Sequence, residues 1–172
     1  MNRQSTPFTR FWNEFRENRI AVLALSIVVL MALLALFASF VSPQNPYDLA
    51  NLSLMDSRRP PGFVGTGGYT HWLGTDPQGR DLLSAIFYGL RISIQIGLAA
   101  GFVSLSIGAA LGILAAYIGG RVENLIMRLV DLQLSFPAIL LALVIVALLG
   151  QGKVQLISAL VAAQYAYFAR TA

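Results

Sequence analysis

Residues 92–120, ISIQIGLAAGFVSLSIGAALGILAAYIGG, run for 29 positions without one charged side chain. A helix needs about 20 mostly apolar residues to cross the hydrocarbon core of a bilayer. Three further runs share this character: Ile20 to Val41 (22 residues), Leu132 to Gly152 (21) and Val154 to Ala169 (16). The last falls just under the usual minimum of about 17. The whole chain agrees with its runs. Of 172 residues, 56% are hydrophobic and 12% charged, and there is no cysteine. A soluble domain carries about 25% charged residues, so roughly half the expected charge is absent. That excludes a disordered chain, a disulfide-stapled module and an ordinary soluble enzyme. The composition predicts an all-α polytopic transmembrane bundle with about four spans, at about 20–41, 92–120, 132–152 and 154–170.

The first run is too long for the apolar core of a signal peptide, and no small-x-small cleavage site closes it. The net charge of +4 reads as the basic excess of cytoplasmic loops rather than as a nucleic-acid surface. Arg3, Arg10, Arg16, Arg19, Arg121, Arg128 and Arg170 fall on one side of the spans. Arg58, Arg59, Arg80, Arg91 and Lys153 fall on the other, most of them in one long loop where charge directs topology less. The expectation is a cytoplasmic amino terminus and an external loop over about 42–90.

Before the first span, Phe8, Phe11, Trp12 and Phe15 recur at helical spacing, which predicts an amphipathic helix on the inner membrane face. The loop from Ser42 to Thr70 is rich in Pro, Gly, Asn and Ser and predicts turns with little regular structure. After it, Asp76 followed by Pro77 reads as a helix N-cap with proline at the first helical position. Leu82, Leu83, Ile86, Phe87 and Leu90 then form an apolar face, expected to lie along the outer interface until the chain turns inward at Gly89.

Within the second span, Gly97, Gly101, Ser104, Gly108, Gly112, Ala115 and Gly119 follow one another at intervals of three or four residues. They fall on one stripe, and small residues let membrane helices approach closely where no hydrophobic drive exists between them. The stripe predicts helix packing within the chain, with contact to a second subunit as the other reading. Between the second and third spans, Arg121, Asn124, Arg128, Asp131 and Ser135 share a face. Val122, Leu125, Ile126 and Leu129 are expected opposite them. Arg128 and Asp131, three apart, are expected to pair, and Pro137 to restart the helix beyond an inner elbow. In the last span Gln164 is expected to hydrogen-bond a neighbouring helix.

No nucleophile–base motif, phosphate loop or metal-ligand spacing occurs, and His71 is the single histidine. No catalytic, cofactor-binding or metal-ligating residue is therefore assigned. No Asp, Glu, Lys, Arg or His lies inside the charge-free runs, so the spans read as passive walls with energy entering from elsewhere.

The run from His71 to Asp81, HWLGTDPQGRD, with YGLRIS at 88–93, resembles a loop of the C-type permeases of dipeptide, oligopeptide and nickel ABC importers. Tyr117 to Gly120, Met127 to Asp131, Ser135 to Pro137 and Phe168 to Arg170 carry the same resemblance. Gly74, Thr75, Asp76, Gly79, Arg80 and Asp81 belong to the loop motif, with no role assigned. The resemblance implies a type I importer. In such a machine two permeases form the path, two cytoplasmic ATPases use the ATP, and an external binding protein delivers the solute. It also implies an amino-terminal part at 1–90, the start of the shared transmembrane domain at 91–172, and a bacterial inner-membrane location. The family pattern continues past residue 170 into a Glu-Ala-Ala loop that docks on the ATPase, so the expectation is that these residues are a fragment or depend on more chain. A self-associating channel and a membrane scaffold without transport activity are the rival classes. The solute, the residues that touch it and the identity of the partners are not legible.

Overall fold

The structure is a computed structural model, and it describes residues 7–172. Arg3, part of the charge asymmetry, lies outside the described residues. The architecture is all-α, with one small hairpin, and divides into two compact units, up to Ile92 and from Ser93 onward.

In the first unit, helix α1 (Pro7–Glu17) carries the predicted aromatic face. Phe15 stacks on Phe11 and Trp12, at 6.1 and 6.0 Å between ring centres. Asn18 then opens α2 (Arg19–Leu36), its side-chain oxygen accepting from the backbone N–H groups of Ile20 and Ala21. That satisfies two of the four donors a helix start leaves unpaired. A break at Phe37 leads to the short α3 (Ala38–Val41). The following loop has two single 3₁₀ turns, Leu49–Asn51 and Leu54–Asp56, and the antiparallel strands β1 (Phe63–Val64) and β2 (Thr70–His71).

Helix α4 (Leu82–Ile118) corrects two expectations at once. It is one helix of 37 residues, about 55 Å long, with no separate interfacial segment and no turn at Gly89. Gly89 is simply a helical position.

In the second unit, Gly119 and Gly120 adopt φ of +69° and +60°. Two successive residues of positive φ break the helix between α4 and α5 (Gly120–Leu134), a conformation glycine adopts without steric cost. Gly119 thus serves the turn; open space surrounds the place a Cβ would occupy, so it is not part of a packed stripe. Helix α6 (Ala138–Leu149) starts after Pro137, whose carbonyl accepts from Leu140 and Leu141. Between α5 and α6 the axis bends by 87°. The expected span at 132–152 is therefore not one straight rod: residues 132–134 finish α5, and α6 has 12 residues. Helix α7 (Lys153–Thr171) packs back along α6 and α5.

Among the described residues, α2 and α4 are long and apolar enough to cross a membrane, and α5 with α6 qualifies as a bent pair. Helix α7 has the length but not the apolarity to join them.

Candidate functional site

Two constructions use the residues singled out by sequence. The first is the loop before α4, folded around Asp81. Asp81 and His71 are buried, at 0% and 1% exposure. Asp81 Oδ2 accepts from the backbone N–H and the hydroxyl of Ser84, at 2.7 and 2.6 Å. Its Oδ1 lies 3.0 Å from His71 Nδ1. An ionised carboxylate only accepts, so the imidazole proton sits on Nδ1. The Asp81 amide in turn donates to Gln44 Oε1 at 2.8 Å, and the Gln44 amide donates to Ser84 Oγ at 3.3 Å.

Asp81 is therefore the residue that caps α4, not Asp76. Asp76 Oδ1 accepts from the amides of Gln78 and Arg80 at 2.8 and 2.9 Å. It closes a turn ahead of the helix rather than starting it. Thr75 and Asp81 form an isolated antiparallel bridge across that turn. Gly79 completes it at φ +76°, with no room for a Cβ beside the Ser53 carbonyl.

Gly74, at φ +80°, faces the Arg59 carbonyl, which a Cβ would meet at 2.5 Å. The Thr75 hydroxyl donates to the Asp56 carbonyl and accepts from the Arg59 amide at 2.8 Å. Gly74, Thr75, Asp76, Gly79 and Asp81 thus hold the loop together, while Arg80 takes part through its backbone amide, which donates to Asp76.

A second carboxylate completes the interior. Asp56 Oδ2 accepts from the amide and the hydroxyl of Thr66, at 2.9 and 2.8 Å. Burial alone would raise its pKa. The Thr66 hydrogen bonds and the His71 and Arg59 charges outweigh this and hold it below the ordinary value of 3.8. Gly65 leaves room for the imidazole, because a Cβ there would stand 2.5 Å from His71 Nε2. Phe63 stacks on the His71 ring at 6.4 Å, and Tyr69 meets it edge-on at 5.2 Å. Burial pushes the Tyr69 phenol above its usual range; the Gln44 hydrogen bond opposes this, and the two carboxylates add to it.

The second construction is the crossing of α4 and α7. A Cβ on Gly108 would lie 2.5 Å from the Tyr165 carbonyl, and one on Gly112 2.7 Å from that of Ala169. Ser104 and Ala115 are fully buried beside them. This much of the predicted stripe packs within the chain. Gly97 and Gly101 do not belong to it: open space surrounds both, and Ile96 and Ala100 are the buried residues at that level. On α7 the buried residues are alanines, Ala159, Ala163, Ala166 and Ala169, and Ala169 is the one of them that Gly108 and Gly112 approach. Their spacing of four, three and three residues is the same kind of signal, and sequence reading passed it by. Val130 of α5 closes this small core against Ala166 and Ala169.

At the elbow, Asp131 pairs with Arg170 of α7, Oδ1 to Nη1 at 2.6 Å. The expected partner Arg128 instead lies with Arg121, Asn124 and Leu125 around a shallow concavity. An i, i+3 pair in water is worth a few tenths of a kcal/mol, so a neighbouring helix end easily wins the carboxylate. Val122, Leu125 and Leu129 are exposed rather than buried; Ile126 is the one of the expected apolar four that packs on the core. The interhelical amide bond is also made by a different glutamine. Gln133 Nε2 donates to the Ala162 carbonyl, while Gln164 is exposed.

Comparison with known proteins adds to this geometry. The family model described as the N-terminal TM domain of oligopeptide transport permease C matches residues 6–61. The one described as binding-protein-dependent transport system inner membrane component matches residues 108–172. The chain is 34% identical over 144 residues to the dipeptide transport system permease protein DppC of Haemophilus influenzae, covering 84% of this chain and 48% of the relative. It is 38% identical over 155 residues to the di/tripeptide permease DppC of Pseudomonas aeruginosa, covering 90% and 50%. It is 35% identical over 168 residues to the glutathione transport system permease protein GsiD of Pectobacterium atrosepticum, covering 96% and 52%. The chain spans about half the length of these curated relatives.

Proposed function

Because the chain belongs to the binding-protein-dependent inner-membrane permease family, in its oligopeptide C-type branch, we propose that it is a permease subunit of an ATP-driven importer of peptides. It forms part of the wall of a path opened alternately to each side of the membrane. The observation that carries this is the pair of family matches at 6–61 and 108–172, the second beginning within a helix long and apolar enough to cross a membrane. The named relatives transport dipeptides, tripeptides and glutathione, so short peptides and peptide-like thiols are the proposed solute class.

The proposed partners are a second permease, two ATPases that bind the ATP, and an external solute-binding protein. The role proposed for this chain calls for no cofactor and no catalytic step of its own. The proposed orientation follows the arginine asymmetry: α1 and the elbow face the cytoplasm, and the loop over 42–81 faces outward. The apolar run of α6 and the small-residue contact of α4 with α7 support a passive packed wall.

The test is reconstitution with the partner subunits in proteoliposomes. ATP-dependent uptake of a labelled dipeptide is expected, and it should stop when this subunit is left out. Uptake that needs no ATP, or none at all, overturns the proposal; ion conductance from the chain alone would favour a channel.

A further inference from the structure

We propose that His71 is a proton-operated clasp. A second proton, taken up on Nε2, draws the imidazolium to Asp56 and ties the 3₁₀ turn at Leu54–Asp56 to the start of α4. The two ring nitrogens are unequally provided for. Nδ1 has Asp81 Oδ1 at 3.0 Å. Nε2 is buried and has no hydrogen-bond partner among the described residues. Leaving a polar atom so costs about 1–3 kcal/mol.

A second carboxylate stands near that nitrogen. The place a Gly65 Cβ would fill lies 2.5 Å from Nε2 and 3.0 Å from Asp56 Oδ2. Among the described residues the imidazole has its ion pair with Asp81 alone, so a gap separates it from Asp56, and Gly65 brings no side chain into it. While Nε2 bears a lone pair, an acceptor faces an acceptor and no bond can form. A proton there turns the same approach into a charge-assisted hydrogen bond.

The ionisable groups around the ring come from several elements. Asp81 opens α4 and Asp56 ends the 3₁₀ turn; they are 0% and 5% exposed. Tyr69 meets the ring edge-on, and burial keeps its phenol neutral. The Arg59 guanidinium lies 5.0 Å over the Phe63 ring, which stacks on the imidazole. Arg59 is exposed, so water screens its charge. Gln44, which accepts from the Asp81 amide, brings none. An arriving proton therefore meets two buried anions and one solvated cation. All these groups pack on one another within the first compact unit, so the clasp needs nothing from outside it.

The unfolded chain offers His71 no such partner. The new bond therefore adds to the folded state while the imidazole is charged, and it is lost as pH rises. Imidazoles change charge between about pH 5 and pH 8. Asp56 stays ionised throughout that range, since its pKa lies below 3.8. A proton thus sets how firmly the chain between α3 and α4 is held, whatever solute the subunit carries.

Proteinase K cleavage within 57–80 tests this on the purified complete complex, with the rate at each pH divided by that for an unfolded substrate. When reclosing is fast, such cleavage tracks the open population. It should be about tenfold slower near pH 5 than near pH 8, the worth of one hydrogen bond between charged groups. Asp56→Asn keeps an oxygen for Thr66 but removes the anion, and His71→Asn keeps an N–H for Asp81 but takes up no second proton. Both profiles should be flat. A parent rate that is level or rises on acidification overturns the proposal, as does slowing that survives in D56N. If H71N is cut fast at every pH because its loop has opened, the parent and D56N profiles still decide.

Discussion

Arg170 in the last turn of α7 reaches Asp131 of α5, 2.6 Å from Nη1 to Oδ1, although 39 positions separate them in the chain. Both side chains are 52% exposed, so water screens the pair. Its worth is about 0–1 kcal/mol. Asp131→Ala and Arg170→Ala should each lower the melting temperature in detergent slightly, and the double variant no further than the larger of the two. Arg128→Ala should leave that coupling intact. A double-variant cycle that couples Asp131 to Arg128 instead would refute the assignment.

Gly108 and Gly101 should behave oppositely. A side chain at Gly108 collides with the Tyr165 carbonyl, whereas Gly101 faces open space. Gly108→Leu is expected to cost about 1–3 kcal/mol by overpacking and to broaden the size-exclusion profile of the purified subunit. Gly101→Leu should fold as the parent does. Equal loss in both would mean that the two glycines share one packed surface.

Replacing Asp81 by alanine strands the buried His71 Nδ1–H and the Ser84 amide and hydroxyl. An unpaired buried polar group costs about 1–3 kcal/mol, so the loop over 43–80 should become sensitive to limited proteolysis. Asp76→Ala removes two turn bonds, neither of them fully buried, and should have a smaller effect, about 1 kcal/mol. Greater protease sensitivity in the Asp76 variant would return the capping role to that residue.

Acid should loosen the same loop. The Asp56 carboxyl has a folded pKa below 3.8, so its stabilising contribution is complete above 3.8 and is lost as pH falls through the folded value. Pepsin cleavage within 57–80 should rise on acidification below 3.8. Asp56→Asn should flatten that rise, and an unchanged pH profile in this variant would rule Asp56 out as its source.

The membrane character and much of the α4 packing are legible in the sequence because both are local. Gaps between charges mark the apolar helices, and Gly108 and Gly112 mark where α4 meets α7. The misses have two causes. Competing local cues misplace the cap: Asp76-Pro77 and Asp81-Leu82-Leu83-Ser84 are both helix-start signals, and only the tertiary bonds to His71 and Gln44 choose between them. Long-range pairing hides the rest. Nothing near Asp131 points to Arg170, and nothing near Gln133 points to Ala162. The phase of the stripe drifts as well, since burial at the level of Gly97 and Gly101 falls one residue earlier, on Ile96 and Ala100.

The bond from the Asp81 amide to Gln44 spans 37 positions, from just beyond α3 to the start of α4. It fastens a ring whose two ends are the exits of membrane helices. Closing such a ring costs entropy that grows only slowly with its size, but neither end can be brought to the other until both helices are in place. The ring should therefore latch late in biogenesis, and its amides should then exchange with solvent on a single shared clock rather than residue by residue.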